Sequence, residues 1–170
     1  MKQFRSLFIA LMLTLGVTTL TNAQNSKVAH IATQELIETM PAYKDAMAQL
    51  DKLRNTYDAE IKDMMNEAQQ TLKRYEAEAE TVTDEENAKR SQELQGAQRR
   101  IQEHSQKASQ DIQKKQQDLI RPILEKARNA IQKVARAKGY DYVLDSTTGA
   151  GVIMADGYDL MPDVKKELGI

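Results

Sequence analysis

Residues 41–82 decide the fold, and they read PAYKDAMAQLDKLRNTYDAEIKDMMNEAQQTLKRYEAEAETV. A proline at the first helical position loses no helical hydrogen bond, and neither glycine nor a second proline occurs between Pro41 and Gly96, so a long helix is predicted from Pro41. Apolar residues recur in one stripe, three or four positions apart: Leu36, Met40, Tyr43, Met47, Leu50, Leu53, Tyr57, Ile61, Met64, Ala68, Leu72, Tyr75, Ala79 and Val82. Because this step is close to the roughly 3.5 to 3.6 residues of a helix packed along one partner, the element is predicted to be coiled-coil-like.

The partner helix follows in the sequence. Thr83 and Glu86 have the spacing of a capping box, in which each side chain hydrogen-bonds a free backbone N–H at a helix start. A thinner apolar stripe then runs to the Lys138-Gly139 stop through Ile101, Ala108, Ile112, Leu119, Ile123, Ala127, Ile131 and Val134. Residues 41–138 are therefore predicted to form an antiparallel helical hairpin with its tip near residues 82–87.

The two helices are too long for a small globule. At about 1.5 Å per residue they would measure about 60 and 80 Å, so the hairpin should project as an arm. Pro122 lies inside the second helix, where an interior proline removes a hydrogen bond, and it predicts a bend. Between Ala88 and Gln117 the apolar stripe is thin, so the distal arm is predicted to be the most mobile part.

Short strand patterns flank the hairpin. Val28–Ala32 is short and contains β-branched residues, so residues 24–40 are predicted to hold a first strand and a short helix. Tyr140–Asp145 alternates as a strand does, and the turn-like Ser146–Gly151 separates it from a second strand pattern at Val152–Ala155, which predicts a β-hairpin. Residues 139–170 thus complete a small sheet.

The last residues predict a short helix that begins at Pro162 and ends at Gly169. The fold class is therefore α+β and mostly α, with a small β-sheet body and a long antiparallel helical-hairpin arm. Because three short strands bury little apolar area, several copies are expected to associate through the strand region.

The first residues have the pattern of an export signal. Lys2 and Arg5 precede the apolar run Leu7–Leu20, and Thr21-Asn22-Ala23 offers small residues for a signal peptidase, so residues 1–23 are predicted to be cleaved. A retained membrane anchor is the alternative, but the run of about 14 residues is shorter than the roughly 20 that a spanning helix needs. The sequence contains no cysteine, which excludes a lipid-anchored lipoprotein, a disulfide and a thiolate metal site.

Composition and charge limit the partners. Without Lys2 and Arg5, 22 of the 24 basic residues remain against 25 acidic residues, a net charge of −3 that gives no reason to expect nucleic acid. Residues 35–85 hold 13 acidic and 6 basic side chains, whereas residues 86–138 hold 6 acidic and 13 basic ones. These neighbouring segments of opposite sign would attract each other in the folded hairpin.

The combined pattern resembles a known family. The export signal, the first strand (Lys27-Val28-Ala29-His30-Ile31-Ala32), the charged hairpin and the Gly139-Tyr140-Asp141-Tyr142-Val143-Leu144-Asp145 strand are similar to the Skp/OmpH family of periplasmic chaperones over residues 27–170. The Asp159-Leu160-Met161-Pro162-Asp163-Val164 helix entry adds to the resemblance. Its best-known members are strongly basic, whereas this chain is slightly acidic without its signal.

The resemblance implies a function and an assembly. It implies a jellyfish-like homotrimer whose arms enclose unfolded outer-membrane proteins in the periplasm, with only indirect or transient membrane contact. We expect an ATP-independent holdase without cofactor or metal. Candidate residues for contact with the unfolded protein, called the client below, are Met64, Met65, Leu72, Tyr75, Arg99, Arg100, Ile101, Lys107 and Ile112. Candidate residues for the oligomer interface are Val28, Ile31, Tyr142, Val143, Leu144, Val152 and Ile153.

No catalytic pattern stands out. His30 and His104 do not have metal-ligand spacing from a second ligand, and Gly149-Ala150-Gly151 is not followed by the Lys-Ser/Thr of a phosphate loop. Asp141 and Asp145 share a strand face, but paired carboxylates need a surrounding cleft for acid–base work. These features favour a protein that is not an enzyme.

Two interpretations remain open from the residues alone. The methionines and tyrosines of the first helix either fill the seam of the hairpin or offer an adaptable surface to unfolded chains. The alternative function is an exported structural or adaptor hairpin that docks a fixed envelope partner. A fixed partner should require a regular, strongly apolar distal seam, and the thin distal stripe favours the chaperone.

Overall fold

The computed structural model describes residues 26–170, so the predicted signal peptide, residues 1–23, lies outside the described residues. The elements in chain order are β1 (Val28–Ile31), α1 (Thr33–Thr39), α2 (Pro41–Glu78), α3 (Asp84–Ala137), β2 (Tyr142–Asp145), β3 (Tyr158–Asp159) and α4 (Met161–Leu168). This arrangement confirms the predicted fold class, with long helices and a small three-stranded sheet.

Helices α2 and α3 pack against each other as an antiparallel pair, which we call the arm. Within α2, all buried and half-buried residues lie on one line: Tyr43, Ala46, Leu50, Leu53, Tyr57, Ile61, Met64, Ala68, Thr71, Tyr75 and Glu78. Ten steps cover 35 residues, a mean of 3.5, which is the repeat of a left-handed coiled coil. Two successive steps of four residues meet at Tyr57, where the repeat shifts its phase.

The seam corrects the predicted stripe at two positions. Met47 and Leu72 are exposed, and the residues before them, Ala46 and Thr71, take their places in the seam. Neighbouring positions on a helix differ by about 100°, so only one residue of each pair can face α3. At Ala46 the small side chain lies in the core of the molecule, where a methionine would need more room.

The arm turns at residues 79–83. Thr83 is the N-cap of α3, as predicted, because its hydroxyl accepts a hydrogen bond from the backbone N–H of Glu86 at 3.2 Å. The side-chain amide of Asn87 also donates to the carbonyl of Ala79 at 2.9 Å, which ties α3 to the end of α2. Helix α2 ends at Glu78, four residues before Val82, where the apolar stripe ends.

The sheet differs from the predicted hairpin. Its strand order is β2-β1-β3, and both outer strands run parallel to β1. Because parallel partners must return to the same end of the sheet, the arm connects β1 to β2, while residues 146–157 carry the chain across to the other edge of β1. The prediction of an antiparallel pair was therefore wrong.

The predicted strand at Val152–Ala155 was also wrong, since β3 is Tyr158–Asp159. The fully buried Leu160 donates its backbone N–H to the carbonyl of His30 at 2.9 Å, and this anchor places Tyr158–Asp159 on the free edge of β1. Ile153 is fully exposed, so the Val152–Ala155 pattern has no buried face within the chain.

The core lies where the lower third of α3 meets the sheet and α4. Its buried residues include Ala29, Ile31 and Leu36 from the first elements, Ile123, Ala127, Ala130, Val134 and Ala135 from α3, and Leu160 and Val164 from the C-terminal segment. Helix α4 contains Pro162 and ends at Gly169, whose φ of 73° suits glycine, as the sequence predicts. Helix α3 is continuous through Pro122, and the bend there stays a prediction.

Candidate functional site

One face of the sheet is apolar and exposed. In the parallel register Val28 lies beside Tyr142 and His30 beside Leu144, so these four side chains share one face. Val28, Tyr142 and Leu144 are all exposed. We call these three residues the outer sheet face. Three of the seven interface candidates therefore form one surface, and Ile153 lies fully exposed on the loop that follows β2.

The other interface candidates lie elsewhere. Ile31 is fully buried in the core of its own chain, and Val143 packs half-buried against the same core. Both belong to the inner face of the sheet, because they alternate with the exposed residues of their strands. Val152 is half-buried in the loop. We therefore leave Ile31 out of the surface that another copy could reach.

His30 holds both ends of the loop between β2 and β3 beside the outer sheet face. Its Nε2 lies 3.2 Å from the carbonyl oxygen of Gly157, which can only accept, so Nε2 donates this hydrogen bond. In the neutral ring Nδ1 is then left to accept from the hydroxyl of Ser146, 3.1 Å away. The arrangement is structural, because both partners fix the loop between β2 and β3 against β1.

Asp145 joins the end of β2 to the start of α1. One carboxylate oxygen accepts from the backbone N–H groups of Thr33 and Thr147, and both threonine hydroxyls donate to the carboxylate. Partial burial opposes ionisation of Asp145, but the hydrogen bonds from Thr147 and Thr33 outweigh it and lower its pKa to about 2. Asp145 is thus a structural carboxylate.

A polar layer crosses the seam in the middle of the arm, where the α2 repeat shifts its phase. The Tyr57 ring lies edge-on to the His104 ring, with 5.6 Å between their centroids. The Tyr57 hydroxyl donates to Asp111 at 2.6 Å, which raises the pKa of Tyr57. Glu60 lies 2.8 Å from Nε2 of His104, and Lys107 donates to Asp111, whose pKa is lowered mainly by that contact.

A second polar cluster closes the seam near the tip. The guanidinium of Arg90 lies 4.5 Å from the ring centroid of Tyr75 and donates to Glu78 at 2.8 Å. The Tyr75 hydroxyl donates to Glu93 at 2.7 Å. Only 15 % of the Arg90 side chain is exposed, so this cation is held between the helices. Polar contacts thus add to the apolar packing of the seam near the tip.

The client candidates fall into three groups. Met65 and Leu72 are exposed on α2, and Arg99, Arg100 and Lys107 are exposed on α3. Met64, Ile101 and Ile112 are half-buried in or beside the seam, and Met64 and Ile101 line a cavity of about 90 Å³ together with Arg100. Tyr75 is half-buried; its ring contacts Arg90 and its hydroxyl donates to Glu93. The structure does not gather the nine candidates into one patch.

A groove that the sequence did not predict lies at the base of the arm. It has a volume of about 1380 Å³ and runs between α3 and the inner face of the sheet, lined by Gln116, Ile120, Leu124, Ile131, Tyr140 and Val143 among others. Leu124 is 44 % exposed within this groove. Helical periodicity could have identified Leu124. It follows the buried Ile123 directly, and neighbouring positions on a helix differ by about 100°, so Leu124 is an apolar residue that faces away from the same core.

The described residues 26–170 contain no group of three or more His, Cys, Asp or Glu side chains that could hold a metal ion. Across the same residues, no helix has both the length and the apolar character to span a bilayer. Among the described residues, the surfaces that could contact another molecule are therefore the outer sheet face, the groove and the two sides of the arm.

The sequence matches one family over nearly all of the described part. The family is described as "Outer membrane protein (OmpH-like)", and the match covers residues 27–168. The chain belongs to the OmpH-like family. A search of curated proteins found no match for the sequence.

The OmpH-like fold is also present in a solved structure. The crystal structure of an OmpH-like protein from Caulobacter crescentus CB15, assigned as an outer membrane chaperone, is similar with a TM-score of 0.73. The two sequences are 16% identical, and the similarity covers 85% of this chain and 86% of the Caulobacter chain. At this identity the likeness concerns the fold.

Proposed function

We propose that this OmpH-like protein is an ATP-independent periplasmic holdase chaperone, a homotrimer whose arms enclose unfolded outer-membrane β-barrel proteins. Membership of the OmpH-like family supports a chaperone role, as does the Caulobacter relative, which is assigned as an outer membrane chaperone. The observation that carries the proposal is the arm itself. It consists of two helices of 38 and 54 residues, with exposed Met65 and Leu72 outside a partly polar seam.

The arm suits unfolded clients better than a fixed partner. A fixed partner would need a continuous apolar face, whereas Met65 and Leu72 are separate apolar contacts among polar residues. Methionine is unbranched and can repack against many partners. Many weak contacts within one enclosure add up to useful retention, while no single contact stops the client from leaving. The client leaves when it folds into a membrane, where its backbone hydrogen bonds become internal.

The outer sheet face supports the trimer. Val28, Tyr142 and Leu144 form an exposed apolar surface on a sheet whose outer strands have only four and two residues. A small sheet with one open apolar face is marginal by itself, and association of several copies would cover that face. Assembly there would bring the arms of the copies side by side around one space.

The test uses residues 24–170, the chain without its predicted signal peptide. A urea-unfolded outer-membrane barrel is diluted into buffer with and without the protein and without ATP, and aggregation is followed by light scattering. We expect suppression at about one trimer for each barrel, with serum albumin as the inactive control. Unchanged aggregation together with stoichiometric co-purification of one native envelope protein would establish the adaptor function instead.

A further inference from the structure

The loop that connects β2 to β3 is longer than its path requires. It comprises residues 146–157 and crosses from one edge of the sheet to the other, and we call it the crossing loop. Adjacent strands lie about 4.8 Å apart, so the two outer strands are separated by about 10 Å, whereas a chain of this length can span about 40 Å. The crossing loop therefore has chain to spare for a contact outside its own subunit.

Both ends of the crossing loop are fixed, and its middle is uncovered. His30 bonds Ser146 at one end and Gly157 at the other. Between these ends, Ile153 is fully exposed and Met154 is 75% exposed. The part of the loop before Asp156 contains no charged side chain. A fixed loop that presents apolar side chains loses little conformational freedom when a partner covers them.

The outer edge of β2 can accept another strand. The N–H of Ser146, which follows β2 directly, donates to the carbonyl of Ile31 at 3.0 Å. Backbone groups alternate between the two sides of a strand, so Val143 and Asp145 direct theirs away from β1. An edge with outward N–H and C=O groups is a template for a strand from another chain.

The groove at the base of the arm lies beside this edge, since its lining on the sheet side includes Val143 of β2. Ala127, Ile131 and Ala135 of α3 also line it, and all three are buried or half-buried, so the floor is apolar. The charged residues of α3 that line the groove are all exposed: Asp118, Arg121, Glu125, Arg128 and Arg136. Side chains of a strand added beside β2 would alternate between this groove and the outer sheet face.

We infer that the Val152–Ala155 segment of one copy pairs with the β2 edge of the next copy. This inference rests on the proposed function and names the contact that builds the homotrimer. Successive side chains of the added strand point to opposite faces. Ile153 enters the groove against Val143, and Met154 lies on the outer sheet face beside Leu144. The segment thereby gains the buried face that it lacks within its own chain.

The contact is head-to-tail, because the segment and the edge that receives it are different surfaces of the chain. Head-to-tail contacts can close into rings, whereas a contact of one face with itself gives a dimer. In its own subunit the crossing loop ends at β3, on the side of the sheet opposite the β2 edge. The β2 edge of each copy is therefore filled by a neighbour, and three identical contacts complete the trimer.

Cross-linking between introduced cysteines tests this contact in residues 24–170. The chain has no cysteine, so Leu144→Cys with Met154→Cys supplies the only two thiols of each copy. A short bismaleimide links thiols that lie close together, and denaturing electrophoresis separates the products by mass. The matched control is Leu144→Cys with Met65→Cys, because Met65 is also exposed but lies on the arm.

We expect a covalent trimer as the main product of the Leu144 and Met154 variant, since each link joins neighbouring copies around the ring. The control should give little or none of it. Light scattering coupled to size exclusion gives the mass of each protein before the cross-linker is added.

Ile153→Asp tests the groove. An aspartate would be desolvated there, so we expect the concentration at which the trimer dissociates to rise at least about tenfold. Thr148→Asp adds the same charge to an exposed position of the crossing loop outside the segment and should leave this concentration unchanged. Because Ile153 is fully exposed in a single copy, the variant should fold, which circular dichroism checks.

The outcomes separate this inference from the proposed function. A wild type with the mass of a monomer would refute the proposed homotrimer. A wild-type trimer in which both cysteine variants cross-link alike, or in which both aspartate variants assemble alike, would overturn only the assignment of this contact. A trimer that Ile153→Asp leaves intact but that binds the unfolded barrel more weakly would assign the crossing loop to the client instead.

Discussion

At the scale of single residues, Asp145 connects two elements that are far apart in the sequence. Its carboxylate accepts hydrogen bonds from Thr33 and Thr147 and so fixes the start of α1 to the end of β2. Its pKa of about 2 lies below its ordinary value of 3.8, so the ionised carboxylate is the stabilising form. This stabilisation is complete above pH 4 and is lost as the pH falls toward about 2.

We predict that Asp145→Asn lowers the free energy of unfolding by about 1 kcal/mol at neutral pH, as the loss of a capping carboxylate does. The difference from the wild type should shrink as the pH falls from about 4 to about 2, because the wild type then loses the same interaction. Urea unfolding at a series of pH values measures this. Asp156→Asn, on the exposed loop, is the control and should change the free energy of unfolding little. If the difference between Asp145→Asn and the wild type stayed constant across the pH range, the prediction would be contradicted.

Arg90 has a comparable role at the tip, where its guanidinium lies on Tyr75 and bonds Glu78. We predict that Arg90→Lys loosens the tip, because an ammonium group cannot lie flat on the ring and bond the carboxylate in the same way. Amide hydrogen exchange in residues 75–93 should become roughly five- to tenfold faster, which corresponds to about 1 kcal/mol of local stability. Arg99→Lys on the exposed surface of α3 should leave this exchange unchanged. If Arg90→Lys and Arg99→Lys accelerated this exchange equally, the contacts of Arg90 would not be what stabilises the tip.

At the scale of elements, the apolar side chains buried in the seam near the sheet stabilise the arm. Leu50 is 1% exposed, whereas Leu124 is 44% exposed. We predict that Leu50→Ala lowers the free energy of unfolding by about 2–4 kcal/mol and that Leu124→Ala lowers it by less than about 1 kcal/mol. Chemical denaturation followed by circular dichroism gives both values. A loss at Leu124 that equals the loss at Leu50 would mean that the groove is closed in solution.

The long helices could be predicted because local signals agree with the packing. Pro41 and Thr83 mark helix starts, and the three-or-four spacing persists for many turns, so errors at Met47 and Leu72 did not hide the seam. The strand pairing could not be predicted in the same way. Tyr158–Asp159 has only two residues, and its place beside β1 depends on the buried Leu160, which no local pattern reveals.

The candidate site was predictable only in part, because exposure depends on the phase of the seam. The sequence identified Met65 and Leu72 as client candidates, and the structure leaves both exposed. It also proposed Tyr75, whose ring and hydroxyl contact Arg90 and Glu93. The groove escaped notice since it joins residues of α3 to Val143 of the sheet, far apart in the sequence.

At the scale of the whole molecule, the outer sheet face should decide the oligomeric state. We predict that Tyr142→Glu together with Leu144→Glu converts the proposed trimer to monomer, because two carboxylates would be buried without partners in the interface. Light scattering coupled to size exclusion measures the mass. Met65→Glu with Leu72→Glu adds the same charge to the arm and should leave the mass unchanged. A trimer that survives the sheet variant would place the contact elsewhere.

The position of β1 between β2 and β3 has a consequence for how the chain matures. Both neighbours of β1 follow the arm in the sequence, and Lys27 and Asp141, which also bond each other, are separated by 114 positions. A polypeptide that emerges amino end first can wind its helices early, since their contacts are local. The first strand stays without neighbours until residues 142–159 have also emerged, so the sheet closes only after the whole arm between β1 and β2 has been made.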